Sequence, residues 1–412
     1  MDQFHETFSK LKVASKSLSR IHPELINQAL EKLAVNTLTS VEVILEANQK
    51  DLAKMDKSDP KYDRLLLNED RIQAIVSEIR QIKSLPTPLG KSIENRTLDN
   101  GLELNKISVP LGVLGVIYEA RPNVTFDVFC IALKSGNGLV LKGSSDAADS
   151  NQAIIKVIHD TLSQLSLPTE AFILLPPERS ATQALLEAVG FVDIIIPRGS
   201  QSLINYVRDH AKVPVIETGA GIVHCFFDES ADLEMGKSII FNAKTRRPSV
   251  CNSLDCLIIH ENRLHDLLAL ITDLLDAEVE IFADRAALSV LPEHDQIKAA
   301  NESHFGTEFL ALKMAIKTVQ NIDEALTHID QFSSKHSESI VTNSAENKEI
   351  FLQVVDAAAV YVNASTAFTD GNQFGMGAEI GISTQKLHAR GPMALPELTS
   401  YKWVIRGNGQ IR

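Results

Sequence analysis

Between residues 112 and 221 the chain repeats one rhythm: a short apolar run, a small-residue turn, then a helix-length segment. "GVLGVIYEA" (112–120) and "NGLVLKGSS" (137–145) are two such runs, and the second opens into the helical "DAADSNQAIIKVIHDTLSQL" (146–165). "AFILL" (171–175) follows, then "VDIIIPRGSQSLINYVRDHA" (192–211), a run that continues into a helix, and a fifth run, "VPVIETGAG" (213–221). Runs apolar at successive positions belong to strands buried on both faces, and their alternation with helices predicts a parallel α/β sheet. Sheets of this kind bind ligands outside the carboxyl ends of their strands, close to helix N-termini. The chain has no GxGxxG fingerprint, and its glycine pairs in "GVLGVI" and "ETGAGI" stand at other spacings.

The flanks read differently. Residues 4–55 carry Phe4, Phe8, Leu11, Leu25, Leu30, Leu33 and Leu38 at near three-and-four spacing, which predicts helix. Ile72, Ile75, Ile79 and Ile82 predict a second helical segment, closed by "LPTPLG". Asp99-Asn100-Gly101, between short alternating segments of residues 95–110, predicts a β-hairpin. A second α/β block is expected from about residue 225 to 370, with a helix over "RLHDLLALITDLLDAEV" and a strand over "FLALKMAIKTV". The last residues, "LTSYKWVIRGNGQIR", alternate like a terminal strand. With 412 residues the chain exceeds what a single core normally holds, so two or three domains are expected.

A net charge of −13 argues against general nucleic-acid binding, whose affinity comes from neutralising phosphates. No apolar run approaches the roughly 18–20 residues of a membrane span. The opening "MDQFHETFSKLK" lacks an apolar secretion core, and four cysteines are too few for a disulfide scaffold. The expected compartment is the cytoplasm.

Cys251 lies in "AKTRRPSVCNSLDCLIIH" (243–260), downstream of Lys244, Arg246 and Arg247. A thiolate, not a thiol, attacks, and nearby cations favour the thiolate. The local pattern leaves a nucleophile and a buried structural cysteine both open. Metal binding is disfavoured, because Cys251 and Cys256 lack a second Cys or His pair at suitable spacing. Cys130, Cys225 and Cys256 read as core. Glu217, at a strand tip, suits either a general base or a cap. Asn123, after Pro122, suits an oxyanion donor or a turn. Lys142 suits a phosphate or ribose contact or a solvated lysine, and Gly199-Ser200 would let a backbone approach a flat ring.

Taken in order, Asn123, Lys142, Gly199-Ser200, Glu217 and Cys251 resemble the succession of the aldehyde dehydrogenase superfamily. "YEARPNVTFDV", "VLKGSSDA", "PRGSQSLINYV", "ETGAG", "RPSVCNS", "TDGNQFGMGAEIGIST" and "HARGPM" narrow the resemblance to its γ-glutamyl phosphate reductase family, from about residue 5 to the C-terminus. The resemblance implies an aldehyde dehydrogenase-like α/β fold. It would comprise a five-stranded Rossmann-like NADPH-binding domain (1–92 and 111–224), an α/β catalytic domain (225–372) and a small β oligomerisation element (93–110 and 398–412), with 373–397 returning to the cofactor domain. Homodimers or homotetramers are implied.

The resemblance also implies a reaction, the NADPH-dependent reduction of L-glutamyl 5-phosphate to glutamate 5-semialdehyde on the way to proline. Functional coupling to glutamate 5-kinase is implied as well. Cys251 would form the thioester, with Asn123 and Glu217 as catalytic partners. Lys142, Ser144, Gly199, Ser200 and Glu308 would hold the NADP cofactor, Arg121, Arg246, Asn363 and His388 the substrate, and no metal would be needed. A related semialdehyde or acyl phosphate is the alternative substrate. Two positions depart from the family pattern: Arg246 stands where glutamine is usual and Ala367 where arginine is usual.

Overall fold

In a computed structural model, which describes residues 2–59 and 61–412, the chain divides into two compact units. The first comprises residues 1–218, 375–381 and 393–412, the second residues 219–374 and 382–392.

The first unit begins with three helices, Asp2–Leu18, Pro23–Thr39 and Val41–Leu52. The single helical stretch expected over 4–55 is therefore broken twice. Pro23 fits the first turn of the second helix, whose Glu24 amide is accepted by His22, and Ser40 separates the second helix from the third. Helix Glu69–Ser84 buries Ile72, Ile75, Val76, Ile79 and Ile82 on one side, as the spacing predicts. Asn68 caps it by accepting from the Arg71 amide.

The sheet of this unit has four parallel strands in the order Phe172–Leu174, Gly138–Lys142, Val113–Tyr118, Ile194–Arg198. The fifth expected strand is reduced to one parallel bridge, Ile195 to Val215. Pro214 has no N–H to give a ladder, although its carbonyl still accepts from the Ile195 amide. A separate antiparallel sheet pairs Ser92–Thr97 with Glu103–Pro110, and Glu103–Pro110 with the terminal Thr399–Arg406. The hairpin turns at Asp99-Asn100-Gly101, as expected.

The second unit is built on seven strands in the order Ile297–Ala299, Glu280–Ala283, Lys313–Val319, Cys256–His260, His224–Phe227, Ser337–Val341, Ala359–Val362. All the neighbouring pairs are parallel. Helix Leu233–Thr245 is capped by Asp232, and helix Leu267–Asp276 buries Leu267, Leu270, Ile271 and Leu274. The latter is shorter than expected, because Glu261–Asp266 winds as a tighter helical turn ahead of it. Among the described residues, no helix is long and apolar enough to cross a membrane.

Candidate active site

The strand order of the first unit creates a switch point. From the strand Val113–Tyr118 the chain runs to neighbours on one side, then returns for Ile194–Arg198 on the other. Loops leaving the two carboxyl ends therefore diverge and open a crevice. Here the Glu119 amide donates to the Arg198 carbonyl at 3.1 Å. The Glu119 carboxylate accepts from the Ser200 amide (3.0 Å) and hydroxyl (2.6 Å), just before helix Gln201–His210. A Cβ on Gly199 would lie 2.6 Å from the Glu119 Cδ, so a side chain there would displace that carboxylate. Gly199 and Ser200 were legible as cofactor candidates; Glu119, which organises them, was not singled out from its motif.

At the adjoining strand ends lies a depression of about 180 Å³, lined by Gly143, Ser144, Ala148, Asn151, Gln152 and the run Leu174 to Pro177. Lys142 is buried beside it, donating to the carbonyls of Gly143 (3.0 Å) and Pro177 (3.2 Å). Burial lowers its pKa, opposed by the charge of Glu178. Ser144 caps the following turn by accepting from the Asp146 amide.

Asn123 opens helix Asn123–Lys134 and donates from Nδ2 to Asp127 Oδ2 at 3.1 Å, one turn along the same face. Burial and the charge of Glu78 push the Asp127 carboxyl up to about 8, although the Asn123 hydrogen bond and Arg198 oppose this. Arg121, just before the helix, is half-buried. Glu217 is half-buried, and its carboxylate lies 3.7 Å from the Arg208 guanidinium.

In the second unit Cys251 lies on the turn that follows helix Leu233–Thr245. It is half-buried, whereas Cys130, Cys225 and Cys256 are buried thiols. Burial raises the pKa of each of those three, which keeps them protonated and inert. Gly221 lies against the Cys251 backbone: a Cβ on it would fall 1.6 Å from the Cys251 carbonyl oxygen. The Gly221 amide donates to Glu308 Oε1 at 2.8 Å, so Gly221, Cys251 and Glu308 form one cluster. Burial raises the Glu308 pKa, and the Gly221 amide works against that.

Two buried groups brace this turn. Lys244 is wholly buried, donates to the Leu254 carbonyl at 2.8 Å and stands 3.9 Å from Asp255. Asp255 in turn accepts from the Phe309 amide at 3.1 Å. Burial drives the lysine down and the carboxyl up, and their mutual attraction opposes both shifts. Neighbouring Asn252 donates to the carbonyls of Thr369 (2.9 Å) and Ala367 (3.4 Å), and accepts at its own carbonyl from the Thr366 hydroxyl.

Of the substrate candidates in this unit, Arg246 is exposed at the helix end; Ala367, the other departure from the family pattern, is 7% exposed. Asn363 exchanges hydrogen bonds with the Thr342 backbone in both directions, at 2.9 and 3.0 Å. Its φ of +56° marks a turn residue. His388 is exposed, also at positive φ.

Residues 30–281 match the model of the aldehyde dehydrogenase family. The chain is 58% identical to the γ-glutamyl phosphate reductase of Pelodictyon phaeoclathratiforme over 99% of both chains. The chain belongs to the γ-glutamyl phosphate reductases of the aldehyde dehydrogenase family. The aldehyde dehydrogenase-like fold read from the sequence is thereby established. The γ-glutamyl phosphate reductase of Bacteroides thetaiotaomicron is 56% identical over 98% of each chain. The crystal structure of γ-glutamyl phosphate reductase from Thermotoga maritima is 41% identical, covers 99% of both chains and superposes with a TM-score of 0.96. The chain is an oxidoreductase of this family, whose members use nicotinamide cofactors.

Proposed function

We propose that this enzyme reduces L-glutamyl 5-phosphate to L-glutamate 5-semialdehyde with NADPH, releasing phosphate, on the route to proline. What supports the reading is full-length identity to enzymes named for that substrate, together with a half-buried thiol held on a braced turn.

Cys251 is the nucleophile. Its thiolate attacks the acyl carbon, the C–O bond to phosphate breaks, and phosphate leaves with the electron pair, giving a thioester. Asn123 Nδ2 and the Cys251 amide are the proposed oxyanion donors, each worth on the order of 10²–10³ in rate. Bound NADPH would supply the hydride that takes the acyl group to the aldehyde level.

The first unit suits a dinucleotide. Gly199 and Ser200 lie at the carboxyl end of a strand at the switch point, and the depression beside Lys142 lies at strand carboxyl ends. Lys142 and Ser144 are assigned to the adenosine side, including a 2′-phosphate; Gly199 and Ser200 to the flat ring; and Glu308 to the nicotinamide ribose. Glu217 is assigned to taking the Cys251 proton, in competition with its pairing to Arg208. Arg121, Arg246 and His388 are assigned to the substrate anions, and Asn363 to shaping the neighbouring turn. The cofactor unit is assigned to residues 1–92 and 111–224, and the thiol-bearing catalytic unit to 225–372.

The terminal strand carries Tyr401, Trp403 and Ile405 at alternate positions in contact with solvent, a surface that suits a homodimer or homotetramer. The short life of acyl phosphates favours coupling to a glutamate 5-kinase. Arg246 and Ala367 favour a second reading, an altered substrate among related semialdehydes or acyl phosphates.

The test runs the reaction in reverse, with glutamate semialdehyde, phosphate and NADP. NADP reduction that requires phosphate and prefers this semialdehyde to others supports the proposal. Phosphate-independent turnover, or preference for another semialdehyde, contradicts it.

A further inference from the structure

The second unit holds a buried nitrogen–sulfur cluster that the reaction above does not use. His224, Cys256 and His328 present ligand atoms that all lie within 4.8 Å of one another. The sheet register explains why. His224 and Cys256 are directly paired on adjacent parallel strands, and Glu338 pairs with His224 on the strand beyond. Register partners project to the same face, so Glu338, His224 and Cys256 form a row across three strands. Helix Ile322–Phe332 contributes His328, whose Nε2 lies 3.7 Å from Cys256 Sγ and whose ring packs edge-on to His224 at 5.5 Å.

The hydrogen bonding of this cluster is incomplete. Glu338 accepts from the His224 amide at 3.0 Å and faces His224 Nδ1 at 3.1 Å. It also accepts from the Ser333 hydroxyl. An imidazole that gives its Nδ1 proton to a carboxylate presents a lone pair at Nε2. That atom is wholly buried and has no hydrogen-bond partner among the described residues. A single Cys256 S–H can serve only one acceptor, and His328 Nε2 already stands beside it. A buried polar atom left without a partner costs on the order of 1–3 kcal/mol.

We infer that His224, Cys256 and His328 form a binding site for a borderline-soft divalent cation of the zinc type, with Glu338 orienting His224 from behind. An N₂S set suits such an ion, and tetrahedral zinc places sulfur and nitrogen ligands roughly 3.6 Å apart, close to the spacing of Cys256 and His328. The carboxylate behind His224 repeats the carboxylate–histidine arrangement that fixes tautomers at metal centres. Charge balances: on binding, the Cys256 S–H bond breaks, an S–metal bond forms and the proton leaves to solvent. The thiolate and the Glu338 carboxylate then neutralise the two charges of the ion in a region that could not hold them unpaired.

The test incubates full-length protein with Zn²⁺, desalts it and measures bound zinc by plasma mass spectrometry, with Co²⁺ as the optical probe. The site predicts about one zinc ion per chain, a thiolate-to-cobalt charge-transfer band, and a rise in Tm with zinc. Zinc and band are kept in Cys251→Ser and lost in Cys256→Ser and His328→Leu. Glu338→Gln weakens binding by about 10–100-fold. Where those variants fail to fold, the wild-type stoichiometry and cobalt spectrum decide. Wild type that retains no zinc and shows no charge-transfer band overturns the inference, as does zinc that leaves with Cys251→Ser but stays with Cys256→Ser.

Discussion

Asn123 gives one of its two Nδ2 protons to Asp127, at 3.1 Å, from the first turn of the helix that both residues share. The Asp127 oxygen that accepts this bond fixes which edge of the Asn123 carboxamide carries the N–H groups. The second Nδ2 proton is left in a set direction for a developing oxyanion. Asp127→Asn removes that bias. We expect kcat to fall by about 10-fold, a fraction of the 10²–10³ for losing a whole donor, with KM for the acyl phosphate nearly unchanged. An unchanged kcat would show that Asp127 does not position Asn123.

The same carboxyl predicts a pH dependence of stability. Its folded pKa is raised to about 8, chiefly by burial and then by Glu78. Between about pH 4 and 8 the folded chain therefore holds a proton that the unfolded chain has lost. Stability contributed at this site falls as pH rises through that window. The Tm of wild type should decline relative to Asp127→Asn between pH 5 and 8. Parallel Tm curves would contradict the shift.

Gly221 and Cys251 are in backbone contact, with no room for a methyl group between them. Gly221→Ala must move the thiol turn or the "ETGAG" segment. The expected outcome is loss of at least about 10²-fold in kcat/KM, the scale of a misplacement near 1 Å. Iodoacetamide labelling of Cys251 should change rate in the same variant. Wild-type kinetics would mean the turn tolerates the shift.

Lys244 and Asp255 are a buried pair that ties helix Leu233–Thr245 to the cysteine turn. Removing one partner strands the other charge, at a cost of about 3–5 kcal/mol. Lys244→Met should thus be strongly destabilised in urea, and Lys244→Met/Asp255→Asn should recover much of the loss. Equal destabilisation of single and double variants would refute the pairing.

Arg246 is exposed at the end of that helix, whereas Ala367 is packed in the turn bonded to Asn252. If Arg246 anchors a substrate anion, Arg246→Gln should raise KM for the acyl phosphate by about 5–10-fold, because an exposed charged contact is partly screened, and leave kcat near its starting value. Unchanged kinetics would remove the anchor.

The doubly wound sheet was legible because its strands are continuous apolar runs between amphipathic helices, and Leu114, Val140 and Ile195 are indeed wholly buried. The thiol turn was legible only through the order of its motifs. Local pattern left Cys251 open between nucleophile and buried cysteine, because the difference is burial and burial is a tertiary property. Asp127 and Glu119 stood inside quoted stretches without a signal of their own, and Lys244 was legible as a cation near Cys251 but not as the buried partner of Asp255. Their significance comes from partners 81 residues away, in the case of Glu119 and Ser200, or from neighbouring elements. The cluster of His224, Cys256 and His328 escaped a search for metal spacing for the same reason. Strand register and a covering helix assemble it, and no short sequence interval encodes it.

The central claim is that Cys251 carries the acyl group. Glutamyl phosphate generated in situ is mixed with enzyme lacking NADPH, quenched in acid, and digested for peptide mass spectrometry. The account predicts a glutamyl adduct on the peptide containing Cys251, and neither adduct nor turnover in Cys251→Ala. An adduct on another residue, or a Cys251→Ala enzyme that still reduces NADP in the presence of glutamate semialdehyde and phosphate, would contradict it.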